Sequence, residues 1–293
     1  MGSRGVRASM GLVLDLLLGD PPNRWHPVAW YGQAASWCER RLYRDSRLRG
    51  TVVWGLAVLP AVLLGALLDA APAAAPVALA VTLGGRSLAT EALAVARLLE
   101  AGDLEGSRAQ VRRLVGRETV GLSASEVARA AIESVAENAT DALVAPWCWF
   151  QAAGTAGALL FRAANTMDAM FGHRSSRYRR FGWASARADD LLAAPGALVT
   201  VVATMVLRPS RARAILAQLP RARAHPSLNA GLVEAAFAGA LGVRLGGVNR
   251  YEGREVRLPV LPAGHSPDAA AIRDAVQLLV ELELLLVLAG LIR

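Results

Sequence analysis

The sequence predicts an all-α fold, a polytopic helical integral membrane protein with a cytosolic helical portion. Three observations predict it. The 293 residues are 54% hydrophobic and only 19% charged, with mean hydropathy +0.34, too apolar for an ordinary soluble chain of this length. An uncharged run at 51–68 (TVVWGLAVLPAVLLGALL) has membrane length, and a second follows at 70–85. No alternating pattern is long enough to propose a sheet.

Charge narrows the chemistry. Formal net charge is +8 and every basic residue is arginine, so a Schiff base, a Walker lysine or a side-chain catalytic amine is excluded. The basic balance suits lipid headgroups and anionic ligands; a nucleic-acid binder need not be so apolar, and no nucleic-acid partner is expected. Cys38 and Cys148 are the only cysteines and stand far apart, giving neither a disulfide framework nor a zinc site. His26, His173, His225 and His265 are scattered.

Taken in order, 1–19 carries arginines before a short apolar stretch interrupted by Asp15, with no small-residue cleavage site, so a cleaved signal peptide is not expected. The arginine-rich 39–49 then leads into 51–85, which reads as a transmembrane hairpin turning at Pro72 and Pro76, with both flanks cytoplasmic by the positive-inside rule. Residues 86–141 read as a cytosolic helical segment. Further apolar stretches lie at 142–161, 191–207 and 276–292, with basic loops between them, so 142–293 reads as broken or membrane helices joined by basic cytosolic loops. If 142–161 and 191–207 were both full spans, the basic loops could not share one side with 86–140. The resolution expected is that 142–161, with Pro146 and its glycines, is broken or re-entrant, and that 191–207, with Pro195 and Gly196, behaves likewise.

Four constellations carry chemistry. In ESVAENATDALVAP, Glu133, Glu137 and Asp141 recur every fourth residue and would line one helix face, with Asn138 beside them. Stacked like charges at the mouth of an apolar segment call for a cation; the bland alternative is a solvated face. NTMDAMFGHRSSRYRRFGWASARADD (165–190) offers Asp168, then Arg174, Arg177, Arg179, Arg180 and Arg187, then Asp189 and Asp190. Arginine forks suit phosphate oxygens and paired aspartates suit Mg²⁺, against the alternative of a positive-inside loop. Tyr178, Phe181 and Trp183 read as interfacial aromatics. The stretch 225–253 sets Asn229, Gly231 and Glu234 among glycines that could admit a ligand close to the backbone or simply pack helices. DLLLGDPPNRWHPV (15–28) sets Asp15 and Asp20 around a Pro21-Pro22 turn, with His26 expected to be structural.

Together LDLLLGDPP with HPV, GDLEGSRAQVRRLVGRET, ESVAENATDALVAP, NTMDAMFGHRSSRYRRFGWASARADDLL and NAGLVEAAFAGALGVRLGG resemble the CbiB/CobD family of cobalamin biosynthesis, the adenosylcobinamide-phosphate synthases, over about residues 14–253. Glu118 departs from the resemblance, standing where an aspartate is expected. The resemblance implies an acid-amine ligase that uses ATP and Mg²⁺ to join adenosylcobyric acid to (R)-1-amino-2-propanol or its O-phosphate. It implies a multi-pass protein of the cell membrane with its active site facing the cytoplasm. Self-association, or association with other corrinoid-pathway membrane enzymes, stays open. On the bottom-up reading, Glu133, Glu137, Asp168 and Arg187 are the candidate catalytic residues. Glu137, Asp141, Asp189 and Asp190 are the candidate metal ligands, and Asn138, Arg174, Arg179, Asn229, Gly231 and Glu234 the candidate ligand-binding residues. Two rivals remain in view: an intramembrane Mg²⁺-dependent prenyl or CDP-alcohol transferase, and a transporter, for which Glu281 and Glu283 are the best support.

Overall fold

A computed structural model of the chain describes residues 3–173, 175–251 and 253–292. It is mostly helical, and three stretches among the described residues are long and apolar enough to cross a membrane: Arg47–Asp69, Ala75–Glu100 and Trp183–Leu207. The chain divides into two compact units, one of Met1–Gly84, Asp141–Gly196 and Leu286–Arg293, the other of Gly85–Thr140 and Ala197–Leu285.

In the first unit, α1 (Arg4–Leu18) starts at an N-cap Ser3 and packs on α4 (Ala75–Thr82), where Gly11 lets Pro76 and Leu79 approach. His26 caps α2 (Pro27–Leu42), its Nδ1 accepting from the Val28 amide at 3.1 Å while Nε2 faces Asp20 at 3.1 Å, the structural role expected of it. The first span, α3 (Arg47–Asp69), turns Leu56, Leu59, Leu63 and Leu67 outward, as a lipid-facing helix does. Its other face packs on α8 (Ala145–Phe171), with Gly65 against Ala156.

The break expected in 142–161 is present, but Pro146 does not cause it. Pro146 occupies the first turn of α8, where a missing N–H costs nothing. The helix breaks instead at Ala153 (φ −133°, ψ 20°) and Gly154 (φ 66°, ψ −152°). Orphaned backbone groups on both sides are satisfied. Arg4 Nη1 donates to the carbonyls of Gln151 and Ala152 at 3.0 Å each, and Asp69 accepts from the amides of Thr155 at 2.9 Å and Ala156 at 3.5 Å. By contrast, α10 (Trp183–Leu207) runs through Pro195 as one helix, so 191–207 is not broken. A freed backbone group inside a membrane helix is tolerated when neighbouring protein can satisfy it. Phe181, in the short α9 (Tyr178–Phe181), is 2% exposed and forms an aromatic cluster with Tyr43, Phe171 and Tyr178. That corrects the interfacial reading for Tyr178 and Phe181; Trp183 alone keeps it, at 43% exposure.

The second unit is built around α7 (Ala124–Ala139), which is buried on nearly every side. A reciprocal capping box between Ser123 and Glu126 starts it. Against it lie α5 (Gly85–Glu100), α6 (Leu104–Val111) and the apolar α12 (Leu228–Leu241), while α11 (Ala212–Gln218) packs on α12 where Gly239 meets Ile215. The helix α5 follows α4 after only Leu83 and Gly84, so the second apolar run continues past Arg86, where a cytosolic segment was expected to begin. The last helix, α13 (Ala269–Leu291), contains the apolar stretch at 276–292.

An antiparallel hairpin also stands where no sheet was expected, β1 (Arg244–Tyr251) with β2 (Arg254–Pro262). Its register shifts between Leu245 and Gly247, and Gly246 (φ 77°) occupies the shift against the Pro259 carbonyl, a position closed to a side chain. Read from sequence, these glycines masked a strand; in the structure they bend one.

Candidate functional site

In the first unit, the polar centre is built on Asn165. One turn of π-helix, Thr140–Val144, precedes α8 and carries Asp141. Such turns are often found at functional sites. Asn165, on α8, donates from Nδ2 to Asp141 Oδ2 and to Asp189 Oδ1, each at 3.1 Å, so a single amide ties two carboxylates from separate elements together. Asp168 lies a turn further along α8, and its charge and that of Asp190 both bear on Asp189. Arg187 pairs with Asp190 at 2.8 Å. Arg162, which the sequence did not single out, is half-buried; its Nε donates to the Thr82 carbonyl at 2.7 Å, and Asp141, Asp20 and Asp15 are its countercharges. The signal was available, since an arginine beside a long apolar stretch is costly unless it has a task.

Of the expected metal ligands, Asp141, Asp189 and Asp190 lie in this unit with Asp168 and Arg187, while Glu137 lies on α7 in the second unit; the structure adds Asn165 and Arg162 to the first. Arg174 lies outside the described residues. Arg179 lines a different cleft, with Ser46, Arg47, Leu48 and Arg180.

In the second unit, Glu133 is 5% exposed and both of its oxygens are engaged. Oε2 accepts from Arg117 at 2.6 Å; Oε1 accepts from the Gly246 amide at 2.7 Å and from Arg129 at 3.3 Å. Arg129 also donates to the carbonyls of Gly246 and Val248 at 2.8 and 3.0 Å, and both arginines reach Asn249 Oδ1. This network fastens the hairpin to α7. Glu118 supports the same hairpin, accepting from the Gly253 amide at 2.6 Å. The ladder itself is interrupted: Glu133 and Glu137 lie on α7, while Asp141 lies in the π-turn beyond its end, so the three do not share one α-helical face.

Glu234, on α12, is buried and 4.0 Å from His225. Burial, reinforced by the charges of Glu133 and Glu137, raises its pKa well above the usual carboxylate range, and Arg117 and Arg129 only partly oppose this. Burial also lowers the pKa of His225. Both directions disfavour the charged form at this pair. Asn138 donates back to the Ser134 carbonyl at 2.9 Å, and Gly231 packs where a side chain would strike His225, so helix packing claims that glycine. Asn229 lies in the first turn of α12. Glu281 pairs with Arg208, as an inward acid in a helical bundle does, and Glu283 is buried.

Among the described residues, no three His, Cys, Asp or Glu side chains form a ready metal cage. Mg²⁺ does not need one. It is held by one or two carboxylates together with substrate phosphates and water, and a carboxylate pair spaced by an amide is a donor set of that hardness.

The profile of the CobD/Cbib protein family matches residues 8–279. The chain belongs to the CobD/CbiB family. Cobalamin biosynthesis protein CobD of Mycobacterium tuberculosis is 45% identical to it over 286 residues, covering 94% of this chain and 91% of the relative. The proteins of the same name from Stutzerimonas stutzeri, 44% identical over 91% of this chain and 90% of the relative, and Geobacter metallireducens, 40% identical over 98% and 96%, agree with it. No solved structure matches the chain. Family membership places this CobD/CbiB protein in cobalamin biosynthesis, and its three apolar helices give it the character of a membrane protein.

Proposed function

We propose that this CobD/CbiB protein is an ATP- and Mg²⁺-dependent acid-amine ligase that joins a propionate carboxylate of adenosylcobyric acid to (R)-1-amino-2-propanol or its O-phosphate. The observation that carries the proposal is the convergence of Asp141 and Asp189 on Asn165, with Asp168 and the Arg187–Asp190 pair alongside. Half-buried carboxylates kept this close repel one another, and a protein retains them when a cation relieves the repulsion.

A carboxylate is a poor electrophile. In the proposed reaction its oxygen attacks the terminal phosphorus of ATP, the bond to the bridging oxygen breaks, and ADP leaves. The amine nitrogen then attacks the acyl carbon and inorganic phosphate departs with one original carboxylate oxygen and the electron pair, while the amine releases a proton. Mg²⁺, when bound, supplies neutralising charge on the phosphates. Asp141, Asp189 and Asp190 are the residues of the first unit that would hold it. Arg187, paired with Asp190 at 2.8 Å, would steady phosphate oxygens through its planar fork. Asn165 holds the two aspartates at a fixed separation. Asp168 accepts the amine's proton. In this reading Glu133 is a positioning residue that anchors the hairpin. The site faces the cytoplasm of a cell-membrane protein, where ATP is.

Purified protein tests the proposal directly. ADP should form only when the corrinoid acid, the amine and Mg²⁺ are all present. Amide product without ATP, or ATP consumption indifferent to both substrates, would overturn it.

A further inference from the structure

The arginine-lined cleft that takes Arg179 has no part in the chemistry above. It has a volume of about 630 Å³ and is lined by Ser46, Arg47, Leu48, Arg179 and Arg180. All five belong to the first unit, at the Arg47 end of the span Arg47–Asp69. Three guanidinium groups line it, and the Asp45 carboxylate lies 3.8 Å from Arg180. Ser46 makes no side-chain capping bond to α3.

The surroundings of the cleft are those of a membrane interface. Arg47 lies over the half-exposed Trp183 ring at 5.4 Å, and Arg41 over Trp37 at the same distance. Amphipathic aromatics and arginines in this combination occupy the headgroup level of a bilayer. Leu48, in the cleft wall, is 73% exposed, and the outward leucines of α3 continue from it along the helix. A ligand seated here would therefore meet positive charge at one end and an apolar helix face at the other.

We propose that this cleft binds the phosphodiester of an anionic membrane lipid, with Arg47, Arg179 and Arg180 on the phosphate and the acyl chains along α3 beyond Leu48. Arginine forks fit phosphate oxygens, and basic recesses beside membrane helices hold anionic headgroups. A free phosphate would use the same arginines but would gain nothing from Leu48 and the α3 face. The inference rests on the membrane character of the chain and not on the ligase chemistry, so either can fail alone.

The full chain, purified in a neutral detergent, is titrated with phosphatidylglycerol or phosphatidylcholine, and binding is followed by native mass spectrometry and by the unfolding midpoint. Phosphatidylglycerol should bind saturably at one site and raise the midpoint, and phosphatidylcholine should not. Arg179→Gln with Arg180→Gln should weaken phosphatidylglycerol about thirtyfold. Arg254→Gln with Arg257→Gln, on the exposed hairpin, should leave it within about twofold. Arg47→Gln, which leaves the α9 turn untouched, should also weaken it and serves if the double variant does not fold. Equal binding of both lipids, an unchanged Arg47→Gln, or equal weakening by the hairpin variants would overturn the proposal. Competition by inorganic phosphate at matched concentration would also overturn it, marking a free-anion site instead.

Discussion

Glu133 accepts hydrogen bonds from Arg117, Arg129 and the Gly246 amide, all in a buried setting. Replacing it with glutamine removes a charge that pairs directly with two buried guanidiniums. Glu133→Gln should therefore destabilise the protein by about 3 kcal/mol, read as a lowered denaturation midpoint. Glu137→Gln should instead lower activity far more than folded yield. If both variants lose only activity, the structural role given to Glu133 is wrong. Glu234 makes a pH prediction. Its folded-state pKa is raised above the ordinary 4.5, so its contribution to stability is intact below that value and declines as pH climbs through the raised one. The lowered pKa of His225 acts oppositely: its contribution is intact above 6.5 and declines as pH falls. Glu234→Gln cannot ionise, so its midpoint should gain on the wild type as pH rises from about 5 to about 9. A constant difference across that range would show that Glu234 is already ionised. At this scale the sequence exposed the acids but not their obligations. Spacing showed that Glu133 and Glu137 share a helix, yet the partners that saturate Glu133 come from position 117 and from a hairpin that no periodicity announced.

The elements most legible in sequence were those governed by one strong signal. Apolar runs of membrane length located α3 and α4, because lipid requires such length whatever the tertiary context. Weaker or conflicting signals misled. The hairpin was hidden by Gly246 and Gly247, which disrupt strand propensity where the fold needs a bulge. Of the residues expected to break 142–161, Pro146 sits harmlessly at an N-terminus, and the break falls at one of the glycines, Gly154. Only glycine is at ease at φ 66°, ψ −152°, and an added Cβ would lie 2.7 Å from Asp69. Gly154→Ala should thus lower stability by about 2–3 kcal/mol. Asp69→Ala should cost about 1 kcal/mol by uncapping the second half of α8. A Gly154→Ala protein with an unchanged midpoint would mean the helix does not break there.

For the whole molecule, the mixture of apolar spans and polar centres is what composition foretold, but composition says nothing of which side a loop occupies. The proposed orientation places the 173–182 region on the cytoplasmic side, where arginine density is high. With Cys38 and Cys148 replaced by alanine, Ser176→Cys should react with an impermeant maleimide only after cell lysis. Labelling of intact cells would reverse the orientation and remove the site from cytosolic ATP. The central claim, activation of a corrinoid carboxylate by transfer of a terminal phosphoryl group, is tested most directly by isotope. The corrinoid acid is labelled with ¹⁸O in the reacting carboxylate and turned over with ATP, Mg²⁺ and the amine. The account predicts ADP as the nucleotide product and one ¹⁸O atom in each inorganic phosphate released; label in AMP, or in neither product, would contradict it.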